Sequence, residues 1–267
     1  MAGNQCHYPS SGKVKGQKAH GSLYMKKILY KIYSYLVPLP LFVVVTIVVA
    51  LLVVIAAMLG DTRYVSWYLP RWWSRFTCRI CLHKIKLEGL EQLDRKQSYV
   101  FLANHQGYFD IFLLYGYLPN PFKWMMKEYL RKIPFVGLAC ARSRQIFVGE
   151  SRASITHAVR QAEATLQAGT SMAIFPEGTR TRTGKMGDFK RGAFMLAGQI
   201  GLPIVPITIN GSFDIFSRND YSVKQGTLQM IIHPPIYPPE YEQIPTKQLM
   251  QQVHDIINSG LVEKYKK

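Results

Sequence analysis

Residues 32–60 contain no Asp, Glu, Lys or Arg, and within them 37–59 is built almost wholly from Leu, Val, Ile, Ala and Met, broken by Thr46 and, near its start, by Pro38 and Pro40. At about 1.5 Å per residue a helix of that length spans about 34 Å, enough to cross the hydrocarbon of a bilayer. The run exceeds the roughly 7–15 apolar residues of a secretory signal. It also lacks the polar face that a helix packed on a water-soluble core keeps. It therefore reads as a retained membrane anchor, and any soluble domain has to be built from the residues C-terminal to it.

The formal charge of +17 from 33 Lys+Arg and 16 Asp+Glu calls for an anionic partner: nucleic acid, a membrane surface or a phosphorylated substrate. Its distribution narrows the choice. Residues 1–36 carry six Lys and no acid, a basic tail ahead of the apolar run. In 60–97, Tyr64, Trp67, Tyr68, Trp72, Trp73 and Phe76 interleave with Arg63, Arg71, Arg75 and Arg79. Next to an apolar span this mixture suits the headgroup layer, where rings straddle the interface and cations meet lipid phosphate. Because basic residues flank both ends of the run, the positive-inside rule favours a hairpin that returns through 60–82, with Pro38 and Pro40 marking the bend and the remaining chain on the cytoplasmic side of the cell membrane; a single crossing, with one basic flank on the far side, is the alternative. Cys78 and Cys81 form a single C-x-x-C with no second pair nearby, so two small apolar residues are a better reading than a zinc site.

From residue 98 onward, short apolar runs at 99–103, 122–126, 145–148, 172–175, 203–209 and 227–232 alternate with helical patterns at 111–117, 151–167, 192–200 and 246–257. That alternation predicts an α/β domain over 98–267, a mixed sheet flanked by helices. Two polar clusters come directly after strand-like runs, at the ends where such sheets place ligands. In Asn104-His105-Gln106-Gly107-Tyr108-Phe109-Asp110, His105 and Asp110 are five apart, about 140° around a continuous helix. They meet only if His105 sits in a turn and Asp110 in the first turns of the helix. An Asp holding one ring nitrogen leaves the other free as a general base. In Phe175-Pro176-Glu177-Gly178-Thr179-Arg180, Pro176 stops the strand, Gly178 permits a sharp turn, and the Arg180 fork suits phosphate. Taken singly, the first cluster is also compatible with a loop histidine near an unrelated acid, and the second with a solvated basic loop.

Together, and in this order, the clusters resemble the N-H-x4-D and F-P-E-G-T-R motifs of the glycerolipid acyltransferases typified by lysophosphatidic acid acyltransferase. Phe189-Lys190-Arg191-Gly192-Ala193 and Val205-Pro206-Ile207 resemble two further blocks of that family. One block departs: where the family commonly has G-x-I-F-I-D-R, this chain has Arg144-Gln145-Ile146-Phe147-Val148-Gly149-Glu150, with Glu150 in place of the usual Arg and Arg152 two residues on. The resemblance implies a glycerol-phosphate acyltransferase-like fold, with His105 and Asp110 catalytic. It implies Glu177, Gly178, Thr179, Arg180, Lys190 and Arg152 at the substrate, with Arg144 a lesser phosphate candidate. The implied acceptor is the sn-2 hydroxyl of lysophosphatidic acid in the membrane, and the donor is acyl-CoA or acyl carrier protein. No metal or other cofactor is implied. Glu150 motivates a different lyso-lipid, such as an aminolipid, as the alternative acceptor. A non-catalytic adaptor binding anionic lipid is the alternative of another class. A nucleic-acid partner is not expected, because the charge of 99–267 gathers around the motifs.

Overall fold

In the computed structural model, which describes residues 12–60, 65–149, 151–167, 170–220 and 222–266, the apolar run is helical. α1 (Gly12–Leu36) leads into α2 (Pro38–Met58). Val37 N–H still donates to Tyr33 O at 2.9 Å and Leu41 N–H to Val37 O at 3.2 Å, so the prolines interrupt a continuing rod rather than reverse it. The expected reversal at Pro38 and Pro40 is thus absent. Residues 61–64, Arg63 and Tyr64 among them, lie outside the described residues. α3 (Val65–Ile80) then runs antiparallel to the rod: Trp73 Nε1 donates to Thr46 Oγ1 at 2.9 Å, and Tyr33 OH to Ile80 O at 2.9 Å.

α3 is more deeply committed to the fold than an interfacial segment would be. Trp67 is buried, and Trp73 packs between Phe42 and Phe112. Arg71 and Arg75 do not reach outward; they donate to the Leu118 and Gly116 carbonyls at the end of α4 (Phe109–Tyr117), satisfying acceptors that a helix C-terminus leaves open. Tyr68 and Trp72 remain exposed. Cys78 and Cys81 are free thiols buried in the core.

Seven strands form one sheet in the order β1-β7-β6-β2-β5-β3-β4. They are β1 (Lys84–Glu88), β2 (Val100–Ala103), β3 (Phe122–Lys127), β4 (Ile146–Val148), β5 (Ser171–Ile174), β6 (Ile204–Asn210) and β7 (Thr227–Ile232). β6, β2, β5, β3 and β4 are mutually parallel; β7 is antiparallel to β6, and β1 parallel to β7. The domain therefore begins at Lys84 rather than at 98. α3 and α4 cover one face over Phe101, Ala103, Trp124 and Ala173. α6 (Arg152–Gln167), α7 (Arg191–Ile200) and α10 (Thr246–Ser259) cover the other over Val100, Leu102, Met172 and Ile174. The shorter helices are α5 (Val136–Arg142), α8 (Ser212–Ile215) and α9 (Pro238–Tyr241).

This topology positions the site. β2 continues through α4 on one face to β3, whereas its neighbour β5 continues through α7 on the other face to β6. The chain diverges between β2 and β5, and such a divergence leaves a crevice at the carboxyl ends of the two strands. Both sequence motifs start there.

Candidate active site

Leu102 pairs with Ile174, so the chain leaves β2 and β5 side by side, two residues before His105 on one strand and just before Phe175 on the other. Asn104 manages the exit from β2: its side chain accepts from Ile209 N at 2.7 Å and donates to Ile209 O at 2.9 Å, replacing a rung of backbone pairing. The turn of 105–108 then brings Asp110, in the first turn of α4, back beneath His105.

His105 Nδ1 lies 2.7 Å from Asp110 Oδ2. The same oxygen accepts the N–H groups of Gln106 at 2.7 Å and Gly107 at 2.9 Å, and Asp110 is wholly buried. The carboxylate therefore fixes the ring with its proton on Nδ1 and leaves Nε2 as the basic nitrogen. One ring face is covered by Phe175, stacked at 3.9 Å and 6°. Gly107 permits the close approach behind the loop. A Cβ there would stand 2.6 Å from Ser212 O and 2.7 Å from Phe216 O. His83 packs edge-on against Phe109 at 4.4 Å, and burial pushes its imidazole down to about 4.

Glu177 does not line the cavity, contrary to the expectation that it shapes the acceptor site. Its Oε1 accepts His105 N–H at 2.6 Å and its Oε2 accepts Gly187 N–H at 2.8 Å. His105 O in turn accepts Thr181 N–H at 2.9 Å, so the two motif loops are tied through the backbone of the base itself. Gly178 takes φ +69°, the left-handed conformation that glycine adopts freely. Beyond it the Arg180 guanidinium lies 3.7 Å from the Tyr108 ring centroid, and Tyr108 stacks on Phe216 at 4.4 Å. Thr179 Oγ1 accepts from Arg218 Nη1 at 3.2 Å.

A cavity of about 1120 Å³ opens beside the His105 ring. Gly178, Thr179, Arg180 and Lys190 line it near the base, and Val49, Ala50, Val53, Trp73 and Ala139 line its apolar part. His105, Asp110, Gly178, Thr179, Arg180 and Lys190 are thus brought together as the motifs implied. Arg144 is not: it precedes β4, at the end of that strand away from the motif loops. Arg152 is described only as the first residue of α6, and Glu150 lies outside the described residues. Sequence reasoning missed Lys127, which lines the cavity where β3 ends, and Arg218, which reaches Thr179 from the loop after α8. A charged residue closing the apolar run 122–126 was the available signal for the first; nothing local marked the second.

The site is a carboxylate-held imidazole at the crevice of an α/β sheet, flanked by guanidinium and ammonium groups and opening on an apolar cavity, an arrangement suited to taking a proton from a hydroxyl. Residues 84–210 match the acyltransferase family model. The chain is similar to a chloroplastic 1-acyl-sn-glycerol-3-phosphate acyltransferase of Arabidopsis thaliana, 34% identical over 58% of this chain and 44% of that protein. The enzyme of the same name from Pseudomonas aeruginosa is 32% identical over 62% of this chain and 63% of its own length. The crystal structure of the 1-acyl-sn-glycerophosphate acyltransferase PlsC from Thermotoga maritima superposes with a TM-score of 0.72 at 26% identity, covering 89% of this chain and 95% of that one. The matches span about half the length of the first curated relatives.

Proposed function

We propose that this chain is a membrane-bound 1-acylglycerol-3-phosphate O-acyltransferase, making phosphatidic acid from lysophosphatidic acid and an acyl thioester carried by coenzyme A or acyl carrier protein. The observation that carries the reading is the His105–Asp110 pair opening on a cavity with Arg180 and Lys190 near the base and apolar α2 in its wall. His105 Nε2 takes the proton of the sn-2 hydroxyl, and Asp110 stabilises the imidazolium that forms. The alkoxide adds to the thioester carbonyl, and the tetrahedral intermediate collapses by expelling thiolate, which recovers the proton from His105. A thiolate leaves readily, so this step calls for no cofactor. Arg180 and Lys190 hold the acceptor phosphate. Tyr24–Met58, long and apolar enough to span a bilayer, anchors the domain beside its lipid substrate, on the cytoplasmic face of the cell membrane.

Glu150, standing where the resembled family carries Arg, favours one second reading, a lyso-lipid acceptor without the phosphomonoester, such as an aminolipid precursor. The test presents the protein in vesicles with labelled acyl-CoA or acyl carrier protein and a panel of lyso-lipids. Turnover of lysophosphatidic acid is expected, abolished in His105→Ala and reduced about 10³- to 10⁴-fold in Asp110→Asn, the scale seen where an Asp orients a catalytic His. Turnover of another acceptor alone replaces the substrate. Vesicle binding without any turnover makes the chain an adaptor.

A further inference from the structure

Between β3 and β4 the chain exposes Tyr129 (60%), Ile133 (42%), Phe135 (48%) and Leu138 (48%) within ten residues. Isolated apolar residues on a surface need no explanation, but a contiguous group of large ones marks a contact. The display is built rather than incidental. Phe135 has φ +59°, a region that a non-glycine residue enters only when its surroundings hold it there. Its carbonyl starts α5 by accepting from Ala139 N at 2.9 Å. Gly137 is pressed on the preceding turn, where a Cβ would overlap the Arg131 carbonyl. The turn therefore fixes Ile133, Phe135 and Leu138 outward.

The inner side of the same segment says what covers the outer side. Ala139 packs in one cluster with Val49, Ala50 and Val53 of α2, so α5 lies directly against the span. Val44, Val48 and Leu52 of α2 are themselves exposed, as a lipid-facing helix requires. Leu130, Ile133 and Val136 line the cavity that holds His105. Lys127, Lys132 and Arg142 stand along the segment, while Arg131 is held by Glu128 at 2.7 Å. An apolar face continuous with a membrane span and edged with cations fits an anionic bilayer surface.

We propose that residues 127–142 form a second membrane contact, separate from the helical hairpin. Phe135 and Leu138 enter the acyl-chain boundary, the cations meet lipid phosphate, and the segment forms the rim across which a membrane-resident acceptor reaches His105. The proposal rests on the reading of α2 as a membrane span and of the acceptor as a lipid.

The test uses the full chain in phosphatidylcholine–phosphatidylglycerol vesicles, with a benzophenone amino acid placed at Phe135, Leu138 or, as control, the exposed Lys247 of α10. Irradiation should yield lipid adducts by mass at the first two positions and none at the third; adducts absent from both, or equal at all three, overturn the proposal. Phe135→Ser combined with Leu138→Ser should raise the KM for vesicle-borne lysophosphatidic acid at least tenfold, the scale of withdrawing as few as about two buried methylenes from a bilayer, with kcat unchanged. A double variant equal to the protein itself on vesicles also overturns the rim. Lipid adducts at 135 and 138 in a chain that acylates no lysophosphatidic acid leave the membrane contact standing and remove the acceptor reading instead.

Discussion

Glu177→Gln separates a brace from a substrate contact. The carboxylate is buried at 6% exposure and spends one oxygen on each of two backbone N–H groups, His105 at 2.6 Å and Gly187 at 2.8 Å. Gln has the same shape but a single acceptor, so one N–H is left facing an amide N–H. Hydrogen bonds to a charged group are worth about 1.5–3 kcal/mol each, and an orphaned buried donor costs about 1–3 kcal/mol. The expected loss is therefore about 2 kcal/mol of stability. For a chain of this size that lowers the unfolding midpoint by about 4–8 °C. The shifted N–H belongs to the catalytic residue, and displacement of a base by about 1 Å costs on the order of 100-fold in rate. Thermal unfolding followed by circular dichroism, with steady-state kinetics on lysophosphatidic acid, reads both effects. The brace predicts a lower midpoint and a kcat reduced about 10- to 100-fold, with KM for the acceptor within about twofold. An unchanged midpoint together with a raised KM would refute the argument and return Glu177 to the substrate.

Three further outcomes rest on the same geometry. Arg180→Lys keeps the charge but loses the planar stack on Tyr108 and the forked donors, so acceptor KM should rise about tenfold in the same assay with the unfolding midpoint unchanged. Gly107→Ala forces a methyl into the Ser212 and Phe216 carbonyls. It should cost about 1–3 kcal/mol by denaturant titration, with a fall in kcat because the shift falls between His105 and Asp110. His83, held down at about 4 by burial against an ordinary value of 6.5, keeps its proton off in the fold while the unfolded chain takes it up. Its contribution is complete above about pH 6.5 and is lost as pH falls toward 4, about 2 kcal/mol by pH 5. His83→Phe should flatten the dependence of stability on pH across that window, and an unaltered slope would show that His83 is accessible to protons.

The parts of the fold that the sequence disclosed are those with a strong local pattern. β2 and β5 are buried at every position and read as plain apolar runs. β1 was missed because Lys84-Ile85-Lys86-Leu87-Glu88 alternates charge with grease on an edge strand, and its partner β7 lies far along the chain. The reach of Arg71 and Arg75 into the end of α4 was equally invisible, since an arginine beside tryptophans has the same composition whether it meets lipid phosphate or a helix carbonyl. At the site, residue types and spacing suggested a His105–Asp110 pair and the Arg180 fork, and the resemblance of the two clusters to the acyltransferase motifs added Lys190. The tie of Glu177 to the loops was not legible, because it runs through the main-chain N–H groups of His105 and Gly187, and every residue but proline carries such a group.

The grip of α3 on α4 has a mechanical consequence. α4 is a nine-residue rod, about 13 Å long, with Asp110 in its first turn and its last carbonyls held by Arg71 and Arg75. Those arginines belong to α3, the arm that returns along α2. Any shift of α3 against the sheet therefore acts on a short stiff lever whose other end is the carboxylate under His105. The seating of the helical hairpin is coupled to the aim of the base through a single helix.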